Sequence, residues 1–395
     1  MKKRLYILAP NDRFNYGDLL FSHIITYYFS KIFDDVVYVS TTASDLSEKG
    51  GIKTKEYSEL FKTDKEWENH LIVAGGESLC VRWFTILSYI FPWVDYLYRF
   101  SSKVSKIPLG CYFKDICASF VKYVFKTKTC FVFSVGKNEL PQFKTIAYNA
   151  LGGSWLLHSD ELDNPKVQEI LKSVDYFAVR DNETSKALTL RHIKHSICPD
   201  SAILMSEVFN EDILRAKITV SKDIINSNYI FFQGNLSLWK GKYDLAANQL
   251  INISKVLGCT ICLCPIGTAL GHSDQIALKN IAKKMGENYF LINQPNIFDI
   301  MWLIKHSQMY IGSSLHGTIT AMSFGVPYIG YGPKKLKAYI EQWEEIGEEH
   351  FTEQHNLVKI AKKAFKIIPN SEQQKNIVKQ SFNNLKLLYE QTHSV

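Results

Sequence analysis

At 395 residues the chain exceeds what one ordinary compact core accommodates, so two domains are expected. With 46% hydrophobic and 22% charged residues the composition is globular, which excludes disordered and collagenous classes. The net charge of +7 comes without a dense Lys/Arg stripe or a recognisable nucleic-acid module, so an anionic small molecule or an anionic membrane surface explains it better than nucleic acid.

The chain begins with Lys2, Lys3 and Arg4 and the apolar run 5–8, which leads straight into Asn11, Asp12 and Arg13. The run is too short for the hydrophobic stretch of a signal peptide and reads as a first strand, so a cytoplasmic protein is expected. Asn15, Tyr16, Gly17 and Asp18 come next and open a helix. Gly17 permits close backbone approach, and Asp18 suits either a helix cap or a proton acceptor. These residue types equally suit any turn.

Apolar, β-branched runs then recur at 36–40, 71–74, 130–135 and 176–179, and again at 229–233, 260–265, 289–292, 309–312 and 327–330. Helical patterns lie between them, which predicts parallel sheets covered on both faces. The pattern occurs twice, broken around Pro199, Asp200 and Ser201, so the reading is α/β: two doubly wound, Rossmann-like domains facing a cleft. The predicted division is 1–205, 206–350, and C-terminal helices over 351–395.

Three loops after strands carry polar residues suited to a ligand. After 71–74 come Gly75, Gly76 and Glu77, where paired glycines signal close approach of a ligand or another backbone. After 176–179 come Arg180 and Asp181. An arginine at a strand's carboxyl end can grip a carboxylate or phosphate, or pair structurally with Asp181 or Asp200. After 327–330 come Lys334 and Lys335, as added positive charge or as a solvated turn.

One segment breaks the alternation. Residues 81–128 mix aromatic side chains with Lys103, Lys106, Lys114, Lys122, Lys126 and Lys128. Its uncharged core is too short to span a membrane, and Pro92 interrupts it. It reads as a buried helical hairpin, a lid over the cleft, or an interfacial segment in peripheral contact with a membrane. Of the eight cysteines only Cys259, Cys262 and Cys264 cluster, on a strand-like run with no second Cys/His group to complete a zinc site. Core thiols in a reducing compartment are expected.

The most informative stretch is Gly312, Ser313, Ser314, Leu315, His316 and Gly317, after the strand 309–312 and before a helix predicted over 318–324. A strand that yields to a helix leaves unpaired N–H groups that favour an anion, with the His316 imidazole beside it. A histidine that only caps or packs at the turn is the alternative.

In order, Asn-x-Gly-Asp, Gly-Gly, Arg-Asp-x-x-Thr, Pro-Asp, Ser-x-Leu-His-Gly, Gly-x-Pro and a lysine-bearing loop resemble the polysaccharide pyruvyl transferase family over residues 15 to about 337. The segment Gly271, His272, Ser273 and Asp274 also resembles part of that family. The resemblance implies an architecture like B-type glycosyltransferases, and transfer of a pyruvyl group from phosphoenolpyruvate to a sugar of a surface or capsular polysaccharide, usually as a cyclic ketal. It implies phosphoenolpyruvate and a saccharide acceptor as partners, and no cofactor or metal. The acceptor's linkage to lipid, nucleotide or polymer stays open.

His316 then suits the acid, and Asp18 or Asp200 the base. Asn15, Gly17, Gly75, Gly76, Arg180, Ser313, Ser314, Gly317, Lys334 and Lys335 are the expected substrate-binding residues. Two departures stand out: Ser314 where many members carry arginine, and Glu77 where a third glycine is common. A nucleotide-sugar glycosyltransferase of the same architecture and a non-catalytic assembly partner are the rival readings.

Overall fold

Side chains alternate across each strand, and that alternation sorts the core. The computed structural model describes residues 2–62, 64, 66–107, 110–270, 273–344, 350–367 and 371–393. Strands β1 (Lys2–Leu8), β2 (Asp35–Val39), β3 (Trp67–Ala74), β4 (Phe143–Leu151), β5 (Tyr176–Val179) and β6 (Ser196–Ile197) form a parallel sheet in the order β2-β1-β3-β4-β5-β6. Strands β7 (Tyr229–Phe232), β8 (Thr260–Leu263), β9 (Tyr289–Leu291), β10 (Tyr310–Gly312), β11 (Tyr328–Tyr331) and β12 (Phe351–Thr352) form a second, in the order β12-β11-β10-β7-β8-β9.

Leu5 and Ile7 of β1, Phe231 of β7 and Cys262 of β8 face one inner core, together with Cys264 just past β8. Their neighbours Tyr6 and Leu8 face an outer core of the first sheet, and Ile230, Phe232 and Leu263 that of the second. Helices Tyr16–Phe29, Ile297–Lys305 and Leu315–Phe324 fill the inner core. Each enclosed Leu, Ile or Phe there stabilises by about 1.5–3 kcal/mol, so this shared core sets the carboxyl ends of the two sheets opposite each other.

Helix Leu357–Ala364 packs on the second sheet. The last helix, Ser371–His393, crosses to the first, where Asn384 donates to Asn149 at 2.8 Å and accepts from the Tyr176 hydroxyl at 2.7 Å.

Two expectations fail here. Residues 130–135 are not a strand; they are an irregular segment, buried from Phe131 on and held by the Tyr57 hydroxyl on the Val132 carbonyl and a single bridge between Arg82 and Phe131. Phe131 and Val132 are apolar because they fill the outer core. The strand at the sheet centre is β4, whose alanines and Asn149 give little β signal. The segment 81–128 is also not a buried hairpin. It forms helix Trp83–Ser88, which is buried, and helices Pro92–Val104 and Gly110–Val124, which bury one face and expose the other. Among the described residues no helix is long and apolar enough to cross a membrane.

Candidate active site

The carboxyl ends of both sheets converge on a cavity of about 770 Å³. Its wall combines Arg13 and Asn15 from the loop after β1, Asp18 from the first turn of helix Tyr16–Phe29, Gly76 and Glu77 after β3, and Arg180 after β5. The second sheet adds Gln233 after β7, Asp274 beyond β8, Ser313–His316 after β10 and Lys335 after β11. Tyr89, Tyr98 and Lys114 of the helical insertion close one side.

His316 is the centre of this arrangement. Helix Leu315–Phe324 begins three residues earlier than the sequence predicts, because the Ser314 hydroxyl accepts the Gly317 N–H and caps it. His316 therefore lies in the first turn, where the N–H groups of Leu315 and His316 have no acceptor within the helix. Its ring meets the edge of Phe21 at 5.4 Å between centroids. A Cβ on Gly17 would stand 1.8 Å from its Nδ1, so glycine at 17 is what lets the ring lie against the first helix. Nε2 is buried, with no hydrogen-bond partner, 3.7 Å from Asp200 Oδ2.

Asp200 is wholly buried. Its Oδ1 accepts the Ala202 N–H at 2.9 Å and its Oδ2 accepts from Arg180 Nη1 at 2.7 Å. Burial raises its pKa, but the His316 ring and Arg180 outweigh burial and hold it down to about 2. Asp200 is thus a buried anion beside His316, off the cavity wall.

Arg180 departs from expectation. It is only 2% exposed, and its other arm donates to Glu77 Oε2 at 2.9 Å. Its fork is committed to two carboxylates, not open to a ligand. The alternative of a structural pair with Asp200 holds, with Glu77 added. A Cβ on Gly152 would meet both Arg180 Nε and Glu77 Oε2 at 2.7 Å, so this cluster is built into the backbone. Glu77 also accepts from the N–H and hydroxyl of Ser154, each at 2.9 Å. Burial pushes the Glu77 carboxyl up, while Arg180 and Lys335 pull it below its ordinary value.

The remaining expected residues divide. Asp18 is buried at the cavity wall, accepts from Asn15 Nδ2 at 2.9 Å and lies 3.7 Å from Arg13 Nη2. Gly76, with φ +82°, brings backbone within 3.7 Å of Asp18 Oδ1, measured from where its Cβ would be. Ser313 donates through its N–H and hydroxyl to Gln233 Oε1. Gly75 and Gly317 make room for Phe21 and for Tyr310, respectively, and not for a ligand. Lys334 is exposed at its helix start and off the cavity wall, whereas Lys335 is on it.

Sequence reasoning missed Arg13 and Gln233 and did not assign Asp274. Arg13 follows the first strand, and Gln233 is a polar residue ending an apolar run; both are usable signals. Asp274 ended a segment already noted, of which Gly271 and His272 lie outside the described residues. Ser273, in a left-handed conformation with φ +53°, turns the chain into it. The Asp274 Oδ2 accepts from Gln233 Nε2 and from the N–H groups of Ile266 and Gly267, leaving Oδ1 buried without a partner among the described residues. Burial lifts this carboxyl from 3.8 to about 6, against those donors.

The family model for polysaccharide pyruvyl transferase matches residues 15–334, which takes in the cavity-wall residues named above except Arg13 and Lys335. The chain belongs to the polysaccharide pyruvyl transferase family. No curated protein matches it by sequence.

Among solved structures it is similar to UDP-GlcNAc 2-epimerase from Neisseria meningitidis, at 10% identity over 98% of this chain and 100% of that one, with a TM-score of 0.54. UDP-GlcNAc 2-epimerase from Methanocaldococcus jannaschii gives 12%, 98%, 99% and 0.51 for the same measures. TcCGT1 in complex with UDP gives 11%, 99%, 99% and 0.50. At such identities the likeness is one of fold, the two-domain B-type glycosyltransferase arrangement. The histidine of this pyruvyl transferase family member, His316, lies on the cavity wall in the first turn of helix Leu315–Phe324.

Proposed function

We propose that this protein transfers a pyruvyl group from phosphoenolpyruvate to a saccharide of a surface polysaccharide or its precursor and closes it to a cyclic ketal. The observation that carries the reading is His316: a buried, unpartnered Nε2 beside a fixed Asp200 anion, at a helix start lining a cavity large enough for donor and acceptor. The first-turn N–H groups, Lys335 and Arg13 supply the positive end for phosphate and carboxylate. Arg180 serves by holding Asp200 and Glu77 in place.

In the first step His316, as imidazolium, gives its proton to the methylene carbon and leaves an oxocarbenium-like centre at C2. A sugar hydroxyl adds there and its proton passes to a carboxylate, Asp18. The C2–O bond to phosphate breaks with its electron pair on phosphate, stabilised by the cationic end. A second hydroxyl adds to C2 and its proton returns to His316, while the proton held by Asp18 leaves with the phosphate. The sum is phosphoenolpyruvate plus a diol giving a pyruvate ketal plus inorganic phosphate. These steps use only groups of this chain.

The test is acceptor-dependent release of inorganic phosphate from phosphoenolpyruvate by the wild type and His316→Ala. The variant is expected to keep its fold and lose about 10²–10⁴-fold in turnover, the usual contribution of general acid–base catalysis. Unchanged turnover in the variant would remove His316 from the chemistry.

A further inference from the structure

The helical insertion has a second face. On Pro92–Val104, Trp93, Tyr96 and Phe100 recur at helical spacing on the outside, and Tyr96 is 74% exposed. On Gly110–Val124, Tyr112, Ile116, Phe120 and Tyr123 do the same, with Ile116 at 65% and Tyr123 at 82%. The two stripes touch: the Phe100 and Phe113 rings meet edge-on at 6.0 Å. Meanwhile Val94, Cys117 and Val121 anchor the opposite faces in the outer core of the first sheet. The patch is therefore a rigid apolar surface presented by folded helices. Contiguous exposed apolar area on this scale marks an interaction site.

Charge identifies the occupant. Residues 92–128 hold seven Lys and Arg against two Asp, a net of +5 within a chain of +7. Asp95 is already paired with Arg99 at 2.8 Å. Lys103, Lys106, Lys122, Lys126 and Lys128 are exposed around the aromatic stripes. A second copy of the chain, apposed through the same face, would set +5 against +5, which disfavours self-association.

We infer that this face docks on an anionic lipid bilayer, its rings in the headgroup boundary and its lysines over the acidic headgroups. Tyr and Trp suit that boundary because each has an apolar body and a polar tip, and the lysine stems cover apolar surface while keeping their charge in water. Tyr89, Tyr98 and Lys114 of the same insertion line the cavity, so docking holds the cavity beside the bilayer. The inference stands apart from pyruvyl transfer, and it is tested without it.

The full chain is sedimented with vesicles of phosphatidylcholine alone and of phosphatidylcholine with phosphatidylglycerol in equal parts. Binding is expected only to the second, lost near 1 M salt, where the Debye length falls to about 3 Å. A Tyr96→Ser, Ile116→Ser, Tyr123→Ser triple variant is expected to bind at least about tenfold less at an unchanged unfolding midpoint, since all three side chains lie outside the core. Phosphate release with a soluble acceptor is expected to be unaffected by the triple substitution, which separates failure of docking from failure of the proposed chemistry. Equal binding to neutral vesicles, no binding to either, or a dimer in solution that the triple variant dissociates would each overturn the inference.

Discussion

Gly17 shows how one missing side chain sets the position of His316, the proposed acid. Its Cβ would fall 1.8 Å from His316 Nδ1, so Gly17→Ala must push the ring out of place. Alanine is a better helix former than glycine, so the helix itself is spared. The expected outcome is a loss of turnover of about 10²-fold with little change in thermal midpoint, measured side by side. Arg180→Met tests the opposite kind of residue. It leaves Asp200 and Glu77 uncompensated in a buried site, and the expected cost is about 3–5 kcal/mol in denaturant unfolding.

Two buried carboxylates give opposite pH dependences. Asp200, depressed to about 2, stabilises the fold above its ordinary 3.8, and that contribution is lost as pH falls through about 2. Asp274, raised from 3.8 to about 6, stabilises most below pH 3.8, and its contribution is lost as pH rises through about 6. That loss amounts to roughly 3 kcal/mol at pH 7. Asp274→Asn is expected to flatten the decline between pH 4 and about 6 in a stability–pH series, and an unchanged slope would exclude Asp274 as its origin.

At the scale of elements, the helix that carries His316 depends on its cap. Ser314→Ala removes the acceptor of the Gly317 N–H and is expected to cost about 1 kcal/mol, whereas Ser314→Asp retains the cap. Thermal unfolding of the two variants checks this. The cap also explains what the sequence left hidden: small residues at 312–314 look like loop, yet the helix starts at Leu315. Strands β7, β8 and β10 were legible because apolar, β-branched or aromatic residues run through them. Strand β4 was not, because its signal passes through Ala147, Asn149 and Ala150, whose fit comes from tertiary contacts such as Asn384 on Asn149. The irregular segment 130–135 misleads for the converse reason, since burial alone selects apolar residues there. Among site residues, His316, Asp18 and Lys335 could be picked from their loops. The pairing of Arg180 with Asp200 was among the alternatives its loop offered, but that with Glu77 was not, because a partner 103 residues away meets it only when the sheet has formed.

For the whole molecule, the shared inner core does what neither sheet does alone. It brings Gly17 of helix Tyr16–Phe29 against His316 and sets Asp18 and His316 on the wall of one cavity. The charge around that cavity is divided: Arg180 is internally balanced and Arg13 donates to Asp12 at 2.8 Å, while Lys335 and the helix start line the space. A trianionic donor bound there would join residues of both domains and favour the folded state. Stabilisation by a ligand that binds only the folded protein grows with concentration, reaching about 2.7 kcal/mol at a hundred times the dissociation constant. The most direct measurement is therefore the thermal unfolding midpoint with phosphoenolpyruvate, UDP and GDP in parallel, on wild type and His316→Ala. A rise with phosphoenolpyruvate alone, smaller in the variant, is the predicted result. A rise with a nucleotide alone, or none with any of the three, would contradict pyruvyl transfer from phosphoenolpyruvate.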